Sequence, residues 1–86
     1  MNDKKSSSMY VANLYLSGYG IADFNESFNL LNAIEGYEDL VLEAQTHKYG
    51  EGIYEVTLVR EHYDEKGRLV KSDLFRRFVT RWEPER

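Results

Sequence analysis

Two histidines, His47 and His62, are the only imidazoles in the 86-residue chain, and one of them falls into a suggestive row. If residues 39–82 fold as three consecutive antiparallel strands, His47, Glu55 and Arg77 lie side by side on one face. A carboxylate base, an imidazole acid and a guanidinium directed at phosphate are the groups that RNA transesterification needs. The same ladder repeats without histidine, as Glu51–Arg81 and Glu61–Lys71. The row therefore reads as solvent-side ion pairing, and no catalytic residue is assigned. His62 sits beside Val70 near the end of the opposite face, too far from His47 to share a metal, so no metal and no cofactor is expected. Phosphate-cradling glycine loops and nucleophile elbows are absent from the sequence.

The row depends on a hairpin. Asp64-Glu65-Lys66-Gly67 has aspartate first and glycine fourth, the signature of a type I turn with a G1 bulge. Pairing Asp64 with Arg68 then sets His62–Val70, Leu58–Leu74 and Tyr54–Phe78 on one face. The other face receives Tyr63–Leu69, Glu61–Lys71, Glu55–Arg77, Ile53–Val79 and Glu51–Arg81. Such cross-strand pairs each stabilise a sheet by roughly 0.2–1 kcal/mol. One mismatch remains, Val59 opposite Asp73. Leu74, Phe75, Phe78, Val79 and Trp82 also recur at helical spacing, but the charge pairing favours a strand over residues 73–82.

Upstream, Met9–Leu16 reads as a first strand, apolar on both faces. Asp23 and Glu26 form a capping box, Phe24, Phe28, Leu31 and Ile34 follow at helical spacing, and Gly36 stands where a left-handed C-cap belongs. Residues 39–49 read as the second strand, closed by Tyr49-Gly50-Glu51-Gly52. The expected fold is α+β: an antiparallel β-meander in the order β-α-β-β-β, with one helix packed on one face of a curved sheet. Residues 1–8 and 84–86 are expected to be tails around a single domain over 9–83. A helix of about eleven residues spans roughly 17 Å, whereas strands of about twelve extend roughly 40 Å. One helix cannot cover such a sheet. The uncovered apolar surface predicts a homodimer, with Trp82 at or near the contact. Arg76, expected on the core face, implies either an open sheet edge or an acidic partner there.

The chain has no cysteine, a formal net charge of −4 and a high aromatic content of 14%, so it is neither disulfide-stapled nor disordered in composition. No apolar run approaches membrane-spanning length, and a cytoplasmic location is expected. Charge is unevenly distributed. Residues 22–65 hold eleven acids and two bases, for −9, and residues 66–86 hold seven bases and three acids, for +4.

The stretch Met9-Tyr10-Val11-Ala12-Asn13-Leu14 resembles the RNP2 motif of RNA-recognition motifs, which would make Tyr10 a base-stacking residue beside Asn13. The resemblance covers six residues. Its partner motif has no counterpart, since Lys48-Tyr49-Gly50-Glu51-Gly52-Ile53-Tyr54 carries a glutamate and turn glycines where that motif needs a basic, aromatic strand. A nucleic-acid module using Tyr10 and the basic last strand stands as one alternative. A small ribonuclease using His47, Glu55 and Arg77, similar to small microbial ribonucleases in those three residue types, stands as another. The preferred reading is a non-enzymatic protein-binding module that covers a surface of a larger complex. In size, acidity and lack of cysteine it resembles, as a class, phage and mobile-element inhibitors such as anti-CRISPR proteins, and toxin-immunity proteins. Exposed Tyr and Arg make interaction hot spots, so Tyr49, Tyr63, Arg76, Arg77, Arg81 and Trp82 are the candidate contacts.

Overall fold

A computed structural model describes residues 7–85 of the chain. The elements in order are β1 (Ser7–Leu16), β2 (Gly20–Ser27), α1 (Leu30–Gln45), β3 (Gly52–Tyr63) and β4 (Leu69–Trp82). All neighbouring strands are antiparallel, and they form one open sheet in the order β2-β1-β3-β4. The fold is α+β with one helix on one face of an antiparallel sheet, as expected. Its chain order is β-β-α-β-β, and that corrects the placement of the helix. Two hairpins, β1–β2 and β3–β4, are joined through the crossover helix and pair along β1 and β3.

Residues 20–27, expected to open the helix, are strand. Phe24 faces away from the helix and is exposed, as are Phe28 and Leu31, and only Ile34 of the expected stripe packs on the core. The true helix begins at Asn29, whose side-chain oxygen accepts from the Asn32 backbone N–H at 3.1 Å. Its buried stripe is Ala33, Tyr37, Leu40 and Ala44, spaced four, three and four residues apart. The expected second strand over 39–49 is therefore the second half of this helix and its exit turn. Leu40 and Ala44 look alternating, but they are one helical turn apart, and Leu42 between them is exposed.

Gly36 is not a C-cap. It lies mid-helix because β2 crosses it closely: a Cβ there would sit 2.3 Å from Asn25 Oδ1. The Asn25 amide donates to the Gly36 carbonyl at 3.0 Å and ties the helix to the edge strand. The helix ends in a Schellman arrangement, with Lys48 N–H donating to Glu43 O at 3.1 Å and His47 N–H to Ala44 O at 3.2 Å. The left-handed residue of that cap is His47, at φ 53°, where glycine is usual.

Against α1 pack Ala12, Leu14, Leu16, Tyr54, Val56 and Leu58, alternate residues of the two central strands. The alanines on both sides let backbone approach backbone. Tyr54 is fully buried, and its hydroxyl donates to Gly50 O at 2.5 Å and accepts from Tyr49 N–H at 3.0 Å. It thereby anchors the turn between helix and sheet.

The Asp64–Gly67 turn forms as expected, with Gly67 at φ 81° and Asp64 Oδ1 accepting from the N–H groups of Lys66 and Arg68 at 2.9 Å each. Tyr63 pairs with Leu69, and beyond that the register departs from the uninterrupted one at two bulges. Lys71 stands opposite His62, Asp73 opposite Arg60, Leu74 opposite Val59, Arg76 opposite Leu58, and Val79 opposite Glu55. The first bulge, between His62 and Tyr63, removes the expected mismatch of Val59 with Asp73, giving Val59 an apolar partner and Asp73 a basic one. Ser7 and Ser8, assigned to a tail, belong to β1. The rest of the expected N-terminal tail, and Arg86, lie outside the described residues. Pro84 and Glu85 follow β4 outside any strand.

The molecule is elongated, 65 × 25 × 16 Å, with a radius of gyration of 15.3 Å against about 12 Å for a compact chain of this length. The 16 residues of α1 extend about 24 Å, while the 14 of β4 extend about 48 Å. The helix rests on the central strands and scarcely reaches β4.

Candidate interaction surface

The strand β4 is an edge of the sheet, and little covers it. Leu69, Val70, Leu74, Phe75 and Val79 are all exposed on it, together with Lys71, Arg76, Arg77 and Arg81. Four bases and one acid, Asp73, give the strand a charge of +3. Alternation and the bulges send Lys71 and Arg76 to the helix side, and Arg77 and Arg81 to the side away from it. The other edge, β2, is shorter at 8 residues and carries only acids, Asp23 and Glu26.

The row of His47, Glu55 and Arg77 is not assembled. Glu55 and Arg77 do meet, Arg77 Nε donating to Glu55 Oε2 at 2.5 Å, as a diagonal pair on the face away from the helix. His47 belongs to the helix exit on the opposite face, where its ring stacks on Trp82 with centroids 5.0 Å apart and 22° between planes. Trp82, expected at or near a dimer contact beyond the helix's reach, is half-buried under that imidazole. Among the described residues no group of three or more His, Asp or Glu side chains could hold a metal.

Tyr10 and Asn13, three residues apart on one strand, lie on opposite faces, so the RNP2-like stretch does not present them together. Asn13 pairs across to Thr57 and Phe24. Tyr10 is on the helix side beyond the start of α1, in edge contact with Phe75 at 5.8 Å, and the Arg60 guanidinium lies 5.5 Å from its ring. Arg60 also donates to Ser8 Oγ at 3.0 and 3.2 Å. Tyr10, Arg60 and Phe75 thus form a patch continuous with β4. Phe75 and Arg60 escaped the sequence reading because only the bulge turns Phe75 toward Tyr10.

The remaining candidates separate into free and engaged groups. The Tyr49 hydroxyl donates to Glu43 Oε1 at 2.9 Å, and burial together with that carboxylate pushes its pKa up to about 12. Burial, with Asp23 adding to it, also raises the pKa of Glu43. The Tyr63 hydroxyl is held by Glu61. Arg81 reaches Glu83 at 4.0 Å. Arg76 is exposed, with no carboxylate within ion-pair distance among the described residues. The sheet edge is open where Arg76 stands.

His62 Nε2 and Asp73 Oδ2 are 2.8 Å apart, and Lys71 Nζ lies 3.6 Å from Asp73 Oδ1. The His62 hydrogen bond, helped by Lys71, holds the Asp73 carboxyl below its ordinary value of 3.8. A lowered carboxylate pKa contributes stability that is complete above the unfolded value and is lost as pH falls through the folded one. The stability gap between the wild type and Asp73→Asn should therefore be present at about pH 5 and close as the pH falls below about 4. Urea midpoints across that range test this, and a gap that does not narrow on acidification would remove the pairing.

Compared with family models, curated proteins and solved structures, the chain matches none. The geometry alone therefore defines its class: a four-stranded α+β domain with one bare, basic edge.

Proposed function

We propose that this chain is a small, non-enzymatic binding module that docks onto a larger protein or complex. The observation that carries the reading is β4, an edge strand with five exposed large apolar residues and four bases. A long edge of this kind is a template for pairing unless something covers it. Aromatic and arginine side chains are also the commonest binding anchors. No cavity indents the described surface, and a flat surface suits a macromolecular partner better than a small ligand. The cytoplasm fits a cysteine-free chain of this composition. Masking a functional surface on a complex, as small phage inhibitors and immunity proteins do, would be the biological use of such a module.

A photo-crosslinking side chain at Val79 should capture one protein of defined mass from lysate of the native cell, in competition with unmodified chain. The same probe at Leu42, exposed on the helix, should capture nothing. Equal capture at both positions, or none at Val79, would sink the reading.

Self-association is favoured by a separate observation. The face away from the helix exposes Tyr15, Ile21, Phe24, Ile53, Leu74 and Val79, and no layer among the described residues covers it. The accessible surface is 6086 Å², against about 5300 Å² for a compact monomer of 10.1 kDa. The excess is close to the roughly 800 Å² per partner that a stable interface buries. Sedimentation equilibrium at micromolar concentration should give twice the monomer mass, and a mass near 10.1 kDa independent of concentration would exclude the homodimer.

A further inference from the structure

We infer that the occupant of the β4 edge is an extended acidic segment of a partner protein, added antiparallel or parallel as a fifth strand; this rests on the docking reading above. The sheet order leaves β4 a neighbour on one side only, so along its outer side backbone N–H and C=O groups lack a ladder among the described residues. Strand addition satisfies such a row through main-chain hydrogen bonds, and the side chains flanking the edge select the sequence. Here the flanking side chains are basic on both faces, Lys71 and Arg76 on one and Arg77 and Arg81 on the other. An added strand points successive side chains to opposite faces. Acidic residues along it therefore meet bases whichever face they take, sharing Lys71, Arg77 and Arg81 with Asp73, Glu55 and Glu83. Arg76, with no carboxylate near it, lies midway along the strand. Tyr10, Phe75 and Arg60 extend the same surface with apolar area and a further charge.

Two rival occupants fit less well. A second copy paired β4 to β4 would bring a strand of +3 against another of +3, and like charges placed opposite are destabilising. A second copy paired through its acidic β2 has only 8 residues, interrupted by a bulge, to cover 14. That contact would also repeat head to tail without closing. A nucleic-acid strand would satisfy the charges and stack on Tyr10 and Phe75, but it would leave the strand's backbone row unpaired.

The test is an NMR titration of the full ¹⁵N-labelled chain with a blocked peptide of alternating glutamate and threonine. Saturable shifts should map to β4, with slowed hydrogen exchange at its outward amides, and a lysine–threonine peptide should produce neither. K71E combined with R76E, both exposed positions, should keep the spectrum of a folded chain and weaken the peptide at least tenfold. R77E, which also breaks the pair with Glu55, serves as a second variant should the first lose its fold. The inference is overturned if the acidic peptide does not saturate by millimolar concentration or if its shifts fall outside β4. It is also overturned if a thymidine oligonucleotide shifts β4 equally without protecting its amides, or if raising the protein concentration alone protects the outward amides of β4. Crosslinking at Val79 without peptide binding would leave docking standing and remove only the acidic strand.

Discussion

Tyr54→Ala is expected to lower stability by about 3–5 kcal/mol, the usual cost of truncating a buried aromatic side chain. A domain of this size has roughly 4–13 kcal/mol in total, so the variant should be largely unfolded at modest urea concentration. Two losses combine at this position. The ring fills the space between α1 and β3 with no exposure, and the hydroxyl bonds both Gly50 O and Tyr49 N–H. Tyr54→Phe separates them, keeping the ring and leaving two polar groups of the helix-to-sheet turn without their partner. Its cost should be about 1–3 kcal/mol. The single tryptophan, Trp82, lies beside this turn under His47, so its fluorescence reports both transitions. Equal urea midpoints for the wild type and Tyr54→Phe would mean that the hydroxyl does not hold the turn.

The second large effect is a reversal of sign. Glycine to alanine inside a helix ordinarily stabilises by roughly 0.5–1 kcal/mol. At Gly36 the new methyl would meet the Asn25 side chain at 2.3–2.7 Å, displace it, and break its bond to the Gly36 carbonyl. Gly36→Ala should therefore destabilise by about 1 kcal/mol, the worth of the displaced hydrogen bond and the strain left over after the helical gain. In an Asn25→Ala background the obstruction is gone, and the same substitution should stabilise. A coupling energy of about 1–2 kcal/mol in the double-mutant cycle is the expected result. Simple additivity would show that β2 does not pack on the helix at Gly36.

Gly36 is also where the sequence misleads. A glycine after an apolar periodic run reads as a helix end, and nothing local announces that a strand eleven residues earlier needs its missing Cβ. With the end misplaced, the beginning followed. Asp23 and Glu26 have the spacing of a capping box, yet Asp23 lies in a strand and its Oδ1 accepts from the adjacent Phe24 N–H at 2.8 Å. Tertiary pairing of β2 with β1 overrode local capping chemistry. The β3–β4 hairpin was legible because its turn chemistry is local, but its bulges set Lys71 opposite His62 instead of the expected Glu61. Even its flaw was informative, since the Val59–Asp73 mismatch is relieved by the bulge at Tyr63. An ion pair of Glu55 with Arg77 survived the change of register because a long arginine reaches a diagonal neighbour as well as a direct one. The candidate surface was legible in part. Arg76 could be singled out as a base at a core position, whereas the Tyr10–Arg60–Phe75 patch depends on which residue the bulge leaves unpaired.

The 65 Å length has a consequence for how the protein moves through solvent. A rod-like particle experiences more drag than a sphere of equal mass, so a monomer of 10.1 kDa should diffuse slowly and leave a sizing column early. Its apparent Stokes radius would imitate a dimer with no second copy present. Rotation should be anisotropic too: end-over-end tumbling is slower than spin about the strand direction, and strand N–H bonds lie across that direction. Spin relaxation of the β3 and β4 amides should therefore report the faster spinning motion as well as the tumbling, and the anisotropy would fall if a second copy squared the particle off.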